Sequence, residues 1–177
     1  MPFTPYHFGP SGFVGLVFRK WIDIPVFVLV NVIIDIEVLL IIVLRLGWPY
    51  HRYCHTLLIG GAVGALWGMA AYPLRGPFRK IMNTLRLAYE TSFWKMAVSG
   101  MLGAWMHVLI DGAYHHDAKV LWPNTTVSLH RILRNYMNSE QGIVICLAFL
   151  VAAVVYILLL FGSGRSATKE KTNDEGK

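Results

Sequence analysis

The sequence predicts an all-α, multi-pass transmembrane bundle: four spanning helices preceded by a short or re-entrant N-terminal hydrophobic segment. Three observations carry that expectation. Of 177 residues, 55% are hydrophobic and only 15% are charged, whereas soluble domains carry about 25% charged residues. Mean hydropathy is +0.50. Charge is nearly absent from four long blocks and gathers between them. Together these exclude a disordered chain and an ordinary soluble domain. Two cysteines, Cys54 and Cys146, cannot build a disulfide framework.

The first stretch, Met1–Phe18, is uncharged but interrupted by Pro5, Gly9, Pro10 and Gly12. It reads as a short broken helix or a re-entrant segment, since irregular backbone at membrane depth survives only beside protein or a cavity. Arg19 and Lys20 follow the apolar stretch instead of preceding it, so a cleavable signal peptide fits poorly and the N-terminus is expected to be retained. Four blocks are long enough to cross about 30 Å of hydrocarbon, which takes about 20 residues. They are Trp21–Leu46, Tyr53–Tyr72, Ser92–Gly112 and Gly142–Gly162. Residues 1–162 thus form one integral membrane domain, and 163–177 are expected to be a disordered, polar, cytoplasmic tail. Trp21, Trp48, Trp94 and Trp122 fall near segment ends, as in an aromatic belt.

Basic residues set the orientation. Arg19, Lys20, Arg75, Arg79, Lys80, Arg86, Lys95, Arg165, Lys169, Lys171 and Lys177 fall on one side of the expected membrane. Arg45, Arg52, Lys119, Arg131 and Arg134 fall on the other. The imbalance assigns the Arg75–Lys95 loop and the C-terminus to the cytoplasm. It also accounts for the net charge of +6 without a nucleic-acid partner; the bilayer itself is the expected partner.

Ionisable residues inside spans are the exception that needs a reason. Asp35 and Glu37 interrupt the first span, and His107 and Asp111 the third. A charge at the centre of a spanning helix costs on the order of 3 kcal/mol on insertion scales. His107 and Asp111 are four residues apart, on one helical face, and His115 is four further on. His51 and His55 open the second span with the same spacing, at the same side of the membrane. His7 joins them if the N-terminal segment re-enters. Imidazole nitrogens with carboxylate oxygens are the donors a divalent metal takes. Glu37 lies about 200° around the helix from Asp35, which suits it to support the site or to act as a general base. Arg52 is a candidate to pair with a carboxylate or hold a phosphate. Of His115 and His116, at most one is expected to ligate, and His130 is expected to be solvated. Asn124-Thr125-Thr126 has the glycosylation spacing. The competing reading of the buried polar residues is interhelical hydrogen bonding.

Taken in order, these motifs resemble a known group. Met1-Pro2-Phe3-Thr4-Pro5-Tyr6-His7-Phe8, Asp35-Ile36-Glu37, His51–Thr56, His107-Val108-Leu109-Ile110-Asp111 and Trp122-Pro123 look like the membrane-bound predicted metal-dependent hydrolases. These are also described as LexA-binding, inner-membrane-associated hydrolases and are held to be distantly similar to zinc-dependent phospholipase C and P1-type nucleases. The resemblance covers roughly Met1–Pro123. It implies His7, Asp35, His55, His107 and Asp111 as ligands, with Asp111 able to bridge two metals. This chain has Glu37 where the family usually has a second Asp. Its His-Arg-Tyr-Cys-His-Thr is a shortened form of the family's His-Arg-x-x-Thr-His-Ser, so the resemblance points to His55 rather than His51. The resemblance implies a bacterial inner-membrane hydrolase using one or two zinc ions, with manganese or iron as alternatives. Its substrate would be a phosphoester of a lipid or other membrane-borne molecule. Asp35 or Glu37 would serve as base or bridging ligand, and Arg52 would neutralise phosphate charge. A metal or proton transporter and a non-enzymatic membrane scaffold are the rival expectations. Oligomeric state is not expressed in the sequence.

Overall fold

A computed structural model describes residues 6–126, 128–133 and 139–174, and it is helical throughout, with no strand among the described residues. The helices are α1 (Phe8–Val17), α2 (Ile24–Val43), α3 (Leu57–Ala70), α4 (Arg75–Thr84), α5 (Phe93–Tyr114), α6 (Leu129–Leu133) and α7 (Ser139–Asp174), with a single 3₁₀ turn at Tyr72–Leu74 between α3 and α4. Three of them, α2, α5 and the Glu140–Phe161 part of α7, are long and apolar enough to cross a membrane.

Helix starts follow local chemistry. Asp23 caps α2 by accepting the Val26 N–H at 3.2 Å. Thr56 caps α3 through the Ile59 N–H at 3.1 Å, and Ser92 caps α5 through the Lys95 N–H at 3.2 Å. Each side-chain oxygen takes one of the amide hydrogens that a helix start leaves without a partner. The backbone leaves α2 through Arg45 and Gly47, both with φ in the left-handed region, which turns the chain back toward the bundle.

Two expectations are revised. Met1–Phe18 does not contain a broken helix over its described part: α1 is continuous from Phe8 to Val17. Pro10 falls in the first turn, where its missing N–H would have had no helical partner anyway. Ten residues rise only about 15 Å, so α1 does not cross a bilayer. The second expected span, Tyr53–Tyr72, is also not one helix. Tyr53 and Cys54 donate their N–H groups to Glu37 at 2.9 Å each, and Thr56 caps the helix behind them, so α3 starts only at Leu57. Its 14 residues rise about 21 Å. Only with the bent 47° continuation into Tyr72–Thr84 does it meet the length and apolarity of a span.

The bundle core is the α3–α5 pair, with α2 laid against α5 and α3. Gly60, Gly64 and Gly68 line one face of α3. A Cβ on Gly64 would overlap the Gly100 carbonyl, and one on Gly68 the Met96 carbonyl. Small residues thus bring the two backbones together, as is usual where helices associate in lipid. Gly103 does the same for α2, where a Cβ would come within 2.6 Å of the Phe27 carbonyl oxygen. Val26, Val30, Ile34, Met96, Ala104 and Val108 are fully enclosed between these helices.

On the flank, α7 rests on α1, with Phe149 5.4 Å from Phe13 between ring centres and Tyr156 bonded to Arg19. Its other face exposes Val144, Val151, Leu158 and Leu159, the surface expected of a lipid-facing helix. The backbone of 163–174, expected from sequence to be a tail without regular structure, continues α7 as helix. The short helix α4 buries Phe78 and Met82 and exposes Arg75, Arg79 and Lys80. At the same end, Asp23 ties three segments together. Its carboxylate accepts the Tyr89 hydroxyl at 2.7 Å and the Thr91 hydroxyl, while its N–H donates to Ser99 of α5 at 2.8 Å.

Candidate metal centre

At the opposite end of the bundle, α2 and α5 run side by side in the same direction. Phe27, Asn31 and Asp35 repeat every four residues on α2, and Gly103, His107 and Asp111 do so on α5. The close contact at Gly103 sets the register, so Asn31 and Asp35 come opposite His107 and Asp111. The 44–56 loop then folds back and inserts His55 between the two helices; its side chain is fully buried.

Asp35, His55, His107 and Asp111 are all buried, and one donor atom from each lies within 4.8 Å of the others. The edges of the cluster are informative. His55 Nε2 is 3.6 Å from Asp35 Oδ1 and 3.4 Å from Asp111 Oδ2. His107 Nε2 is 3.3 Å from Asp35 Oδ1 and 3.2 Å from Asp111 Oδ2. Donors at about 2.05 Å from a tetrahedral zinc are about 3.3 Å from one another. Despite these separations, neither Nε2 has a hydrogen-bond partner among the described residues. A buried polar atom left without a partner is costly, so both nitrogens stand available to a ligand.

The tautomer of each imidazole follows from its other nitrogen. Ser11 donates its hydroxyl to the His7 carbonyl and accepts from Asn31 Nδ2 at 3.0 Å. Asn31 Nδ2 also donates to the Val28 carbonyl, so its Oδ1 is left to accept, and His107 Nδ1 donates to it at 3.0 Å. This chain of bonds, anchored on backbone carbonyls, places the proton on Nδ1 and leaves the Nε2 lone pair for a ligand-binding role. His55 Nδ1 is 3.3 Å from Glu37 Oε2 and donates to it. Orienting a ligand histidine through its second nitrogen is the usual construction of a metal site. Replacing Asn31 by alanine should lower metal affinity about 10–100-fold, the range for losing such a support; metal titration of the purified variant measures it.

Around this cluster lie the other histidines singled out in the sequence. His7 Nε2 is 3.1 Å from Asp111 Oδ1, and its ring packs on His107 with centres 4.2 Å apart. His51 Nε2 is 3.7 Å from Asp111 Oδ2, and His115 Nε2 is 3.9 Å from Asp111 Oδ1. The His51 and His115 rings stack at 4.0 Å. His51 Nδ1 meets Asp117 Oδ1 at 3.0 Å, and His51, His115 and Asp117 form a second group able to hold a cation. Burial pushes the Asp117 carboxyl up, but the neighbouring His51 and its hydrogen bonds outweigh that and hold it below the usual carboxylate range.

Of the remaining expected residues, Glu37 supports the cluster from outside and Arg52 stands elsewhere. Glu37 is outside the cluster: it holds the Tyr53 and Cys54 amides and orients His55. Arg52 lies between aromatic rings, 4.4 Å from the centre of Trp48 and 4.6 Å from that of Tyr53, and is not among the residues lining the cleft. Three participants, Asn31, Ser11 and Asp117, are missing from the sequence-based expectation. Asn31 is legible as a polar residue one turn before Asp35 in an apolar helix. Ser11 and Asp117 give no comparable signal.

Asp35 and Asp111 of the cluster line a cleft of about 850 Å³, with His55 and His107 buried behind it. His7, Asp35, His51, Asp111 and His115 line its polar side, while Val38 and Ile42 of α2 and Trp48, Pro49 and Tyr50 of the loop line its apolar side. Comparison with protein-family models, with curated proteins and with solved structures finds no match to this chain.

Proposed function

We propose that this protein is a membrane-embedded, metal-dependent hydrolase acting on a phosphoester of a lipid or other membrane-borne substrate. The observation that supports it best is the buried His55–His107–Asp35–Asp111 cluster. Its four nitrogen–oxygen separations of 3.2–3.6 Å match the edges of a metal coordination shell, and its two carboxylates line a largely apolar cleft. Two imidazoles and two carboxylates suit zinc, with manganese or iron as alternatives. One or two ions are accommodated in this reading, the second by His51, His115 and Asp117.

Asp35, His55, His107 and Asp111 would hold a divalent metal, which would supply Lewis-acid activation of a water and of a phosphoryl oxygen. The chain's own groups do the rest. Asn31 and Glu37 hold His107 and His55 in the required tautomers. Asp35 and Asp111 balance the cation's charge in a site where water cannot. The apolar side of the cleft takes the substrate's hydrocarbon and thins out competing water. In the net reaction, the oxygen of water bonds to phosphorus, the ester P–O bond breaks, and the departing alcohol gains a proton.

In the same reading the chain is a multi-pass protein of a bacterial inner membrane. The α3 helix with its bent continuation is the fourth crossing, which emerges on the cytoplasmic side within the Arg75–Lys95 segment, and the C-terminus is cytoplasmic. The centre then lies toward the outer leaflet. Val30, Ile34, Ala104 and Val108, all fully buried and apolar, pack below it, which favours hydrolysis over passage of an ion through the bundle.

The test is release of product from a panel of phospholipids by metal-loaded protein in mixed micelles. The expected outcome is hydrolysis that disappears on chelation, returns with metal, and is absent in Asp35→Asn at equal protein level. Activity equal in wild type and Asp35→Asn would refute the reading, as would no activity on any phosphoester.

A further inference from the structure

Past the metal cleft, the chain forms a second cavity of about 420 Å³, whose lining includes His116, Lys119, Thr125, Ser128, His130 and Arg131. His116 lines both this cavity and the metal cleft, so the two spaces adjoin. Two permanent cations, two imidazoles and two hydroxyls line it, with no carboxylate among them. The single acid in the 115–133 stretch, Asp117, is committed to His51 at 3.0 Å. Among the described residues, no carboxylate comes within 4.0 Å of Lys119 or Arg131 to neutralise them. His130 Nδ1 donates to the Ala113 carbonyl at 3.0 Å, which fixes that ring against the end of α5 and leaves its Nε2 for another partner.

This donor set is the complement of a phosphate: charge-assisted hydrogen bonds from Lys and Arg, supported by hydroxyls and imidazole N–H. The metal cleft contributes the opposite character through the apolar side chains of Val38, Ile42, Trp48 and Pro49. The adjoining spaces thus bring together an apolar wall, two carboxylates of the metal-binding cluster and a cationic pocket. We propose that the pocket binds a second anionic group of the substrate, so that the substrate class is an amphiphile whose headgroup carries a phosphate beyond the scissile phosphoester. The inference rests on the hydrolase reading for the position of the scissile bond, but the anion pocket stands on its own lining.

The test compares two soluble lipids that differ only in that distal group: dioctanoyl phosphatidylinositol and its 4-phosphate. Binding to full-length, metal-loaded protein in a neutral detergent is measured by calorimetry, with no turnover required. The 4-phosphate should bind about tenfold more tightly than the parent lipid, the scale of one or two charge-assisted contacts. In the Lys119→Gln/Arg131→Gln double variant that preference should vanish, while metal content and affinity for the parent lipid stay unchanged. Exchanging the two cations, Lys119→Arg with Arg131→Lys, should restore most of it. A preference that survives the double variant, or no preference in wild type, would overturn the pocket. Inositol 1,4-bisphosphate binding as tightly as the lipid would overturn the amphiphile assignment in favour of a soluble phosphate. Failure of hydrolysis in the assay described above would leave all these binding outcomes readable.

Discussion

Asp111→Ala should abolish metal binding at the centre, lowering affinity by well over about 100-fold, because the loss of a direct ligand exceeds the loss of a supporting hydrogen bond. No other side chain in the cluster is as central. Asp111 Oδ2 faces His55 and His107, while Oδ1 faces His7 and lies 3.9 Å from His115. With His51 Nε2 at 3.7 Å from Oδ2, five imidazoles share this anion, and removing it leaves the Nε2 atoms of His55 and His107 with Asp35 alone. The more discriminating partner experiment is Asp111→Asn. An amide can still hydrogen-bond, so if the cluster serves only to hold helices together, metal content is irrelevant and thermal stability should change little. If the cluster is a metal centre, Asp111→Asn should lose metal and hydrolysis together while the protein stays folded. Metal titration and a melting curve on both variants separate the two possibilities.

At the other end of the bundle, Asp23→Ala should cause the largest loss of stability of any single change that spares the centre. Asp23 is 1% exposed and serves the Val26 N–H, the Tyr89 hydroxyl and the Thr91 hydroxyl at once. Burial and the bond to Asp23 push the Tyr89 hydroxyl's pKa up. Truncation leaves those donors buried and unpaired, at about 1–3 kcal/mol each, so a total near 3 kcal/mol is a conservative expectation. For a chain of this length that is a fall of about 6–12 °C in Tm. Metal stoichiometry of the surviving folded protein should be unchanged, since Asp23 caps the start of α2 and Asp35 stands about three turns further along it. A melting curve alongside metal analysis checks both halves.

Much of this arrangement is legible in the amino-acid sequence. The apolar blocks mark α2, α5 and α7, because lipid-facing helices must be apolar over their whole circumference except where they meet one another. The four-residue spacing of His107 and Asp111 places both on one face of α5, and that face is where Asp35 and His55 arrive. Other features depend on the path of the chain between helices, which periodicity does not encode. The 44–56 loop folds back over Glu37, so residues 53–56 become a turn that carries His55 into the cluster instead of the start of a span. The same fold turns Glu37 into the residue that orients His55, and traps Arg52 between Trp48 and Tyr53. The Ser11–Asn31–His107 relay links three segments distant in sequence. A single serine in a Gly/Pro-rich stretch offers no pattern from which to infer such a link.

Whether the buried histidines and aspartates hold a metal ion decides everything built on the cluster. Elemental mass spectrometry on detergent-purified protein, beside His107→Ala and Asp111→Ala, answers it. The expected result is one or two zinc, manganese or iron ions per chain in the wild type and their loss in both variants. Wild-type protein that holds no metal even after reconstitution, or variants that retain the full complement, would contradict a metal centre.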